Sequence, residues 1–186
     1  NTKSQDKYNQ NAPDKSHVEI KIPKLNNNDL KYINESKKYI TKHFSSNYGN
    51  IDDFIYPISH KSSDLWLNSF IKNKFSCFGK YQDAIHNKDN FMYHSIISPM
   101  LNIGLLNPLE IIKKINDEYN KNKNIKLNDY EGFIRQIIGW RTYQILIYKF
   151  KYNEIIKSNI FNNTNRITKK FYNGNVGIPI IDFYIK

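Results

Sequence analysis

FMYHSIISPMLNIGLLNP, residues 91–108, sits in a lysine- and asparagine-heavy chain, yet it sheds nearly every charge. Two serines, a histidine, two prolines and a glycine punctuate an apolar run. Pro99 suits the first turn of a short helix, with Ser98 before it in the capping position. Gly104 suits the left-handed residue that closes such a helix. Asn107 followed by Pro108 is a second start signal, a cap and then proline at the first helical position. A helix start flanked by the Ser95 and Ser98 hydroxyls offers free N–H donors and a partial positive charge, a seat for phosphate.

Working outward, helical spacing dominates. Residues 1–28 are polar and read as an extended, partly mobile arm. From Asp29, Leu30, Ile33, Ile40 and Phe44 recur at helical spacing, and Gly49 follows the end. After DDFIYPISH, Ser62 or Ser63 caps a helix whose buried stripe includes Leu67, Phe70, Ile71 and Phe75; Gly79 then supplies a break. The helix from Pro108 buries Leu109, Ile112, Ile115 and Tyr119, and KNKNIKLND is its exit loop. In NDYE, Asn128 and Glu131 have capping-box spacing. They open the longest helix, about 128–148, with Ile134, Ile137, Ile138 and Trp140 along it. The stretch from Asn159 is irregular, and IPIIDFYIK reads as strand or short helix. No βαβ alternation or internal repeat is present, so the expected fold is mainly α, with residues 29–186 forming one helical domain.

Composition bounds the function. Apolar content of 39% with 15% aromatics excludes a disordered chain. A formal charge of +11 points to a polyanionic partner, nucleic acid first. The bias toward lysine and asparagine, with only Arg135, Arg141 and Arg166 as arginines, is equally what an A/T-rich genome produces. The single cysteine, Cys77, excludes an internal disulfide and a cysteine-built metal or iron–sulfur site within this chain. The five histidines lack metal-ligand spacing. No apolar run of about 18 residues exists to cross a membrane, and the N-terminus lacks the apolar core of a signal peptide. An intracellular, reducing address is expected, and the absence of an initial Met suggests a preceding segment.

IRQIIGWRTY, residues 134–143, is the second informative stretch. Gly139 in mid-helix costs about 1 kcal/mol relative to alanine, so a close approach is expected there. Trp140 offers a flat face for a base or flavin, and Arg141 a planar guanidinium for a phosphate or ring. The competing reading buries Trp140 in the core and pairs Arg141 with Glu131 or Asp129. His94 has the same ambiguity between core and site.

Taken together, FGKYQDAI (78–85), FMYHSIISPMLNIGLLNP (91–108) and YEGFIRQIIGWRTY (130–143) resemble the photolyase–cryptochrome superfamily. The similarity is greatest to its deoxyribodipyrimidine photolyase-related branch, which includes iron–sulfur (6-4) photolyases. It extends weakly from YNQNAPDK near Tyr8 to FYNGNVG. The resemblance implies a partial FAD-binding helical domain in which His94, Ser95 and Ser98 wrap the FAD phosphates and Tyr81 touches the flavin. Arg141 would face the flavin, while Trp140 and Gln136 would face a DNA lesion. Three positions depart from the pattern: Thr142 replaces a glutamate, Lys149 a tryptophan and Asn173 an aromatic. Segments matching the antenna domain, the tandem histidines and the cluster cysteines are absent from this sequence. The implied function is therefore a fragment of a DNA-repairing flavoprotein lyase, incomplete alone, with FAD bound only alongside the rest of the domain and DNA or a second chain as partner. The alternatives are a non-catalytic cryptochrome-like remnant and a basic helical nucleic-acid-binding module.

Overall fold

Residues 19–86 and 88–185 are described by the structure, a computed structural model. Of the expected arm at residues 1–28, residues 1–18 lie outside them, and Asn27 and Asn28 belong to the first helix. The helices are α1 (Asn27–Phe44), α2 (His60–Asn73), α3 (Phe78–Tyr81), α4 (Ser98–Asn102) and α5 (Pro108–Lys121), then α6 (Leu127–Ile134), α7 (Trp140–Ile155), α8 (Lys169–Tyr172) and α9 (Pro179–Ile185). No strand occurs among the described residues, so the fold is mainly α and IPIIDFYIK resolves as helix. Between α6 and α7, residues Arg135–Gly139 form a π-helical segment. The longest helical stretch thus runs from 127 to 155 rather than 128 to 148.

Several starts fall earlier than the sequence suggests, for local reasons. Asn26 caps α1 by accepting from the Asp29 N–H at 2.8 Å, so the helix begins at Asn27. Ser59, not Ser62 or Ser63, caps α2: its backbone is extended and its Oγ accepts from the Ser62 N–H. Ser62 instead accepts from Asn26 Nδ2 at 2.6 Å, and Ser63 donates to the Ser59 carbonyl at 2.8 Å. The α1 and α2 caps are therefore one polar knot, completed by buried Asp29, which accepts from the Ser59 hydroxyl. The expected Asn107–Pro108 start holds, with Asn107 Oδ1 accepting from the Leu109 N–H at 2.9 Å. On α5 the inward residues are Ile111 and Ile115, both fully buried, whereas Leu109 is exposed. Leu109 stands two residues, about 200°, around the helix from Ile111 and so faces away.

The core centres on Phe133 of α6. Phe70 of α2 stacks on it at 4.9 Å, and Phe75 and Phe78 meet it edge-on at 5.7 and 5.3 Å. Ile97, Met100, Ile111, Ile115 and Ile137 close around this cluster. Gly79 is no helix break. It lies inside α3 where that helix meets the start of α6, and a Cβ there would stand 2.5 Å from the Asn128 backbone.

Buried Asp129 seals this contact. Its Oδ1 accepts from the Gly79 N–H at 2.8 Å and its Oδ2 from the Lys126 N–H at 3.0 Å. Lys126 is thus the α6 cap, and the residue reaching back to it is Asp129 rather than Glu131; the Asn128–Glu131 box does not form. Burial holds the Asp129 carboxyl above the usual carboxylate range, against the opposing pull of its two backbone N–H partners.

Gly79→Ala should force α3 and α6 apart and cost about 1–3 kcal/mol or more, read as a lowered urea midpoint. Asp129→Ala should cost on the order of 2–4 kcal/mol, because it strands the buried Gly79 N–H and the partly buried Lys126 N–H. A raised native pKa means the folded state binds more protons than the unfolded chain. Asp129 therefore contributes most stability at low pH and loses it as pH rises from the unfolded value toward the native one. Stability of wild type relative to Asp129→Asn should rise as pH falls through that window, measured by paired urea titrations.

Candidate functional site

Residues 89–98 form a loop whose backbone is fixed at several points before it enters α4. Asp89 Oδ1 accepts from the Phe91 and Met92 N–H groups at 2.9 and 2.8 Å. His94 Nε2 lies 2.7 Å from the Gln82 carbonyl and its Nδ1 3.2 Å from that of Phe91. Trp66 Nε1 donates to the Ser95 carbonyl at 2.9 Å. Within these anchors Met92 and Ile96 take positive φ of 37° and 54°. For β-branched Ile96 the left-handed region costs on the order of 1–3 kcal/mol. The anchors hold that conformation, and it turns the chain so that Ser95 and Ser98 border the same space.

Ser98 is the first residue of α4 rather than its cap; Ile97 holds the cap position and no side chain caps this helix. With five residues α4 also carries little summed dipole. The phosphate seat expected from a serine-capped helix start is therefore not built that way. Among the described residues the Ser95 and Ser98 hydroxyls form no hydrogen bond. Gly104 closes α4 as expected, at φ 80°, with Leu105 N donating to the Met100 carbonyl at 2.8 Å.

These residues border a cleft of about 490 Å³ between the loop, the end of α3 and the π segment with the first turn of α7. Its floor is Phe78 and Phe133, the centre of the core. Of the predicted site residues, the cleft gathers His94, Ser95, Ser98, Gln136, Trp140 and Arg141. Tyr81 is not among them: it is buried and stacks on Tyr93 at 4.8 Å in a small satellite cluster. The His94 ring nitrogens both face backbone carbonyls, so this side chain anchors the loop at the cleft wall.

Trp140 is 57% exposed and meets Tyr143 edge-on at 5.9 Å, which overturns the buried-core reading. Arg141 forms no ion pair among the described residues. Both of its expected carboxylate partners are engaged elsewhere: Glu131 lies 4.0 Å from Arg135, and Asp129 holds the α3–α6 contact. Gly139 has open space where a Cβ would stand, so the expected close approach is not made by any of the described residues. The glycine instead ends the π segment, a form that recurs at functional sites.

Reasoning from sequence missed Gln82, whose buried Oε1 lacks a hydrogen-bond partner among the described residues, and Asn102 and Gln144, which bring further amides to the cleft. Only the position of Gln82 inside FGKYQDAI could have flagged it. The donor set of two hydroxyls, a guanidinium and several amides over an aromatic floor fits a ligand with phosphates and a planar ring. A second groove of about 390 Å³, between α1 and the turn Ile51–Asp53, is mainly apolar and lined by Ile33, Ile40 and Phe54. No group of three or more His, Cys, Asp or Glu gathers to hold a metal among the described residues, and no described helix is long and apolar enough to cross a membrane.

No family model matches the chain. It is 42% identical over 105 residues to an uncharacterized protein of Acanthamoeba polyphaga mimivirus, covering 56% of this chain and 80% of that one. It is also 34% identical over 131 residues to a (6-4) photolyase of Agrobacterium fabrum, covering 70% of this chain. The chain belongs to one family with the viral protein and is photolyase-related. It spans about a quarter (26%) of the length of the photolyase it matches.

The two tryptophans give a direct check on this placement. Trp66→Ala removes a buried ring and its hydrogen bond and should cost about 3–5 kcal/mol. Trp140→Ala should cost less than about 1 kcal/mol. Indole fluorescence of each single-tryptophan variant should show Trp140 readily quenched by iodide and Trp66 protected.

Proposed function

We propose that this chain supplies one wall of the flavin and DNA-lesion pocket of a photolyase-type DNA-repair flavoprotein, and that the full pocket requires further polypeptide. The observation that carries this reading is the convergence of unspent polar groups on one cleft: Ser95 and Ser98 from the loop and Arg141 from α7 border the same space, and none is satisfied among the described residues. The relationship to a (6-4) photolyase supports FAD as the ligand. Ser95 and Ser98 would donate to the diphosphate, and Arg141 would lay its planar guanidinium against phosphate or ring. Trp140, at the exposed edge, would stack on a base flipped from the duplex, and Gln136 would hydrogen-bond its edge. When bound, the flavin supplies one-electron chemistry to the lesion. The apolar floor of Phe78 and Phe133 excludes water beneath the ring. The lysine-rich surface would hold DNA through its phosphates, within the cell.

Affinity for a cofactor of this size comes from many convergent contacts, and a half-open cleft supplies only some of them. The purified chain should therefore lack a stoichiometric flavin absorbance and lose added FAD on gel filtration. Where FAD binding is measurable, Ser95→Ala combined with Ser98→Ala should weaken it about a hundredfold or more, since each of the two bonds to a charged group is worth about 1.5–3 kcal/mol. Arg141→Lys should weaken it too. Duplex DNA affinity should fall steeply between 50 and 200 mM salt, as expected for several phosphate contacts. Unchanged flavin affinity in both the double-serine and the arginine variant would exclude the cleft as the site.

A further inference from the structure

Helix α7 is sixteen residues long and contains no buried residue. Trp140, Tyr143, Leu146, Tyr148, Phe150 and Ile155 are each about half or more exposed. They do not form one stripe. At 100° per residue, Trp140, Tyr143, Leu146 and Phe150 fall on one side, and Ile145, Tyr148, Tyr152 and Ile155 on the opposite side. A helix with exposed apolar residues on opposite sides needs more than one neighbour to cover them. An isolated helix of this length is also marginal in water.

We infer that α7 is the docking element for a complementary helical polypeptide, corresponding to photolyase sequence outside the matched part, which encloses α7 and in doing so closes the cleft. This rests on the photolyase-type reading above and names the partner of that site. Three observations select this occupant. The match covers 26% of the photolyase, so most of that protein's own chain lies beyond it and is available to form such a surface. The first turn of α7 is itself cleft wall, through Trp140, Arg141 and Gln144. A body packed on α7 is therefore continuous with the open side of the cleft. A second copy is disfavoured because each chain carries a formal charge of +11, and one α7 laid on another would cover only one side of each. The partner is thus helical, apolar where it touches α7, and neutral or acidic overall.

The test is complementation in trans. The Agrobacterium fabrum photolyase lacking its 131 matched residues is co-expressed with this chain, and association is read by size-exclusion chromatography with light scattering, without added flavin. A one-to-one complex is expected, with slowed hydrogen exchange across α7. Leu146→Asp with Phe150→Asp should weaken it at least tenfold, while Leu65→Asp on the exposed face of α2 leaves it unchanged. Circular dichroism of each variant alone should match wild type, since neither α7 side chain is buried in this chain. No complex, a complex indifferent to the α7 changes, or a homodimer broken by them would each overturn the inference. Flavin is added only afterwards. A complex that forms through α7 but takes up no flavin sinks the flavin reading and leaves the docking element standing. Weak flavin binding at the cleft of the chain alone, with no complex formed, does the reverse.

Discussion

The contact of Gly79 with the start of α6 is the constraint on which the structure hangs. A side chain of any size at position 79 would collide with the Asn128 backbone, so only glycine lets the two helices meet there. Buried Asp129 then satisfies one N–H from each side of the junction. The contact brings Phe78 against Phe133, and those rings are both the centre of the core and the floor of the cleft. Stability and the site therefore share one foundation. Burying the Asp129 carboxyl opposes its ionisation, which is tolerated because removing it would leave two donors unpaired.

Above that floor, the cleft is shaped by backbone devices. The positive-φ residues Met92 and Ile96 are held by the Asp89, His94 and Trp66 hydrogen bonds, so the strain is offset within the same loop. Opposite, the π segment shifts helical phase between Phe133, which faces inward, and Trp140, which faces out. An uninterrupted α-helix would set the two rings seven residues apart on nearly the same face. The extra residue in the π turn rotates Trp140 toward the cleft edge.

Much of this was legible in the sequence wherever a signal is local. Asn107–Pro108 and Gly104 act through their own backbone, and both behave as read. Signals that depend on a distant partner were not. Gly79 has the same composition whether it breaks a helix or admits another one, and only α6, fifty residues later, decides. Ser59, Ser62 and Ser63 are all competent caps; the extended backbone at Ser59 selects among them. Leu109 and Ile111 are equally apolar, and the angle of α5 on the core chooses Ile111. The site residues came from resemblance more than from pattern. The cleft gathers six of those predicted, whereas Tyr81 packs away from it.

The central claim is that the loop at 94–98 and the π segment form one ligand cleft. A methyl NMR titration of the isoleucine-labelled chain with FAD tests it most directly, because it detects weak binding and locates it. The account predicts shifts at Ile96, Ile97 and Ile137, together with the Trp140 indole, and none at Ile33 or Ile40 in the groove beside α1. Shifts confined to that groove, or no shift at the cleft isoleucines at millimolar FAD, would contradict it.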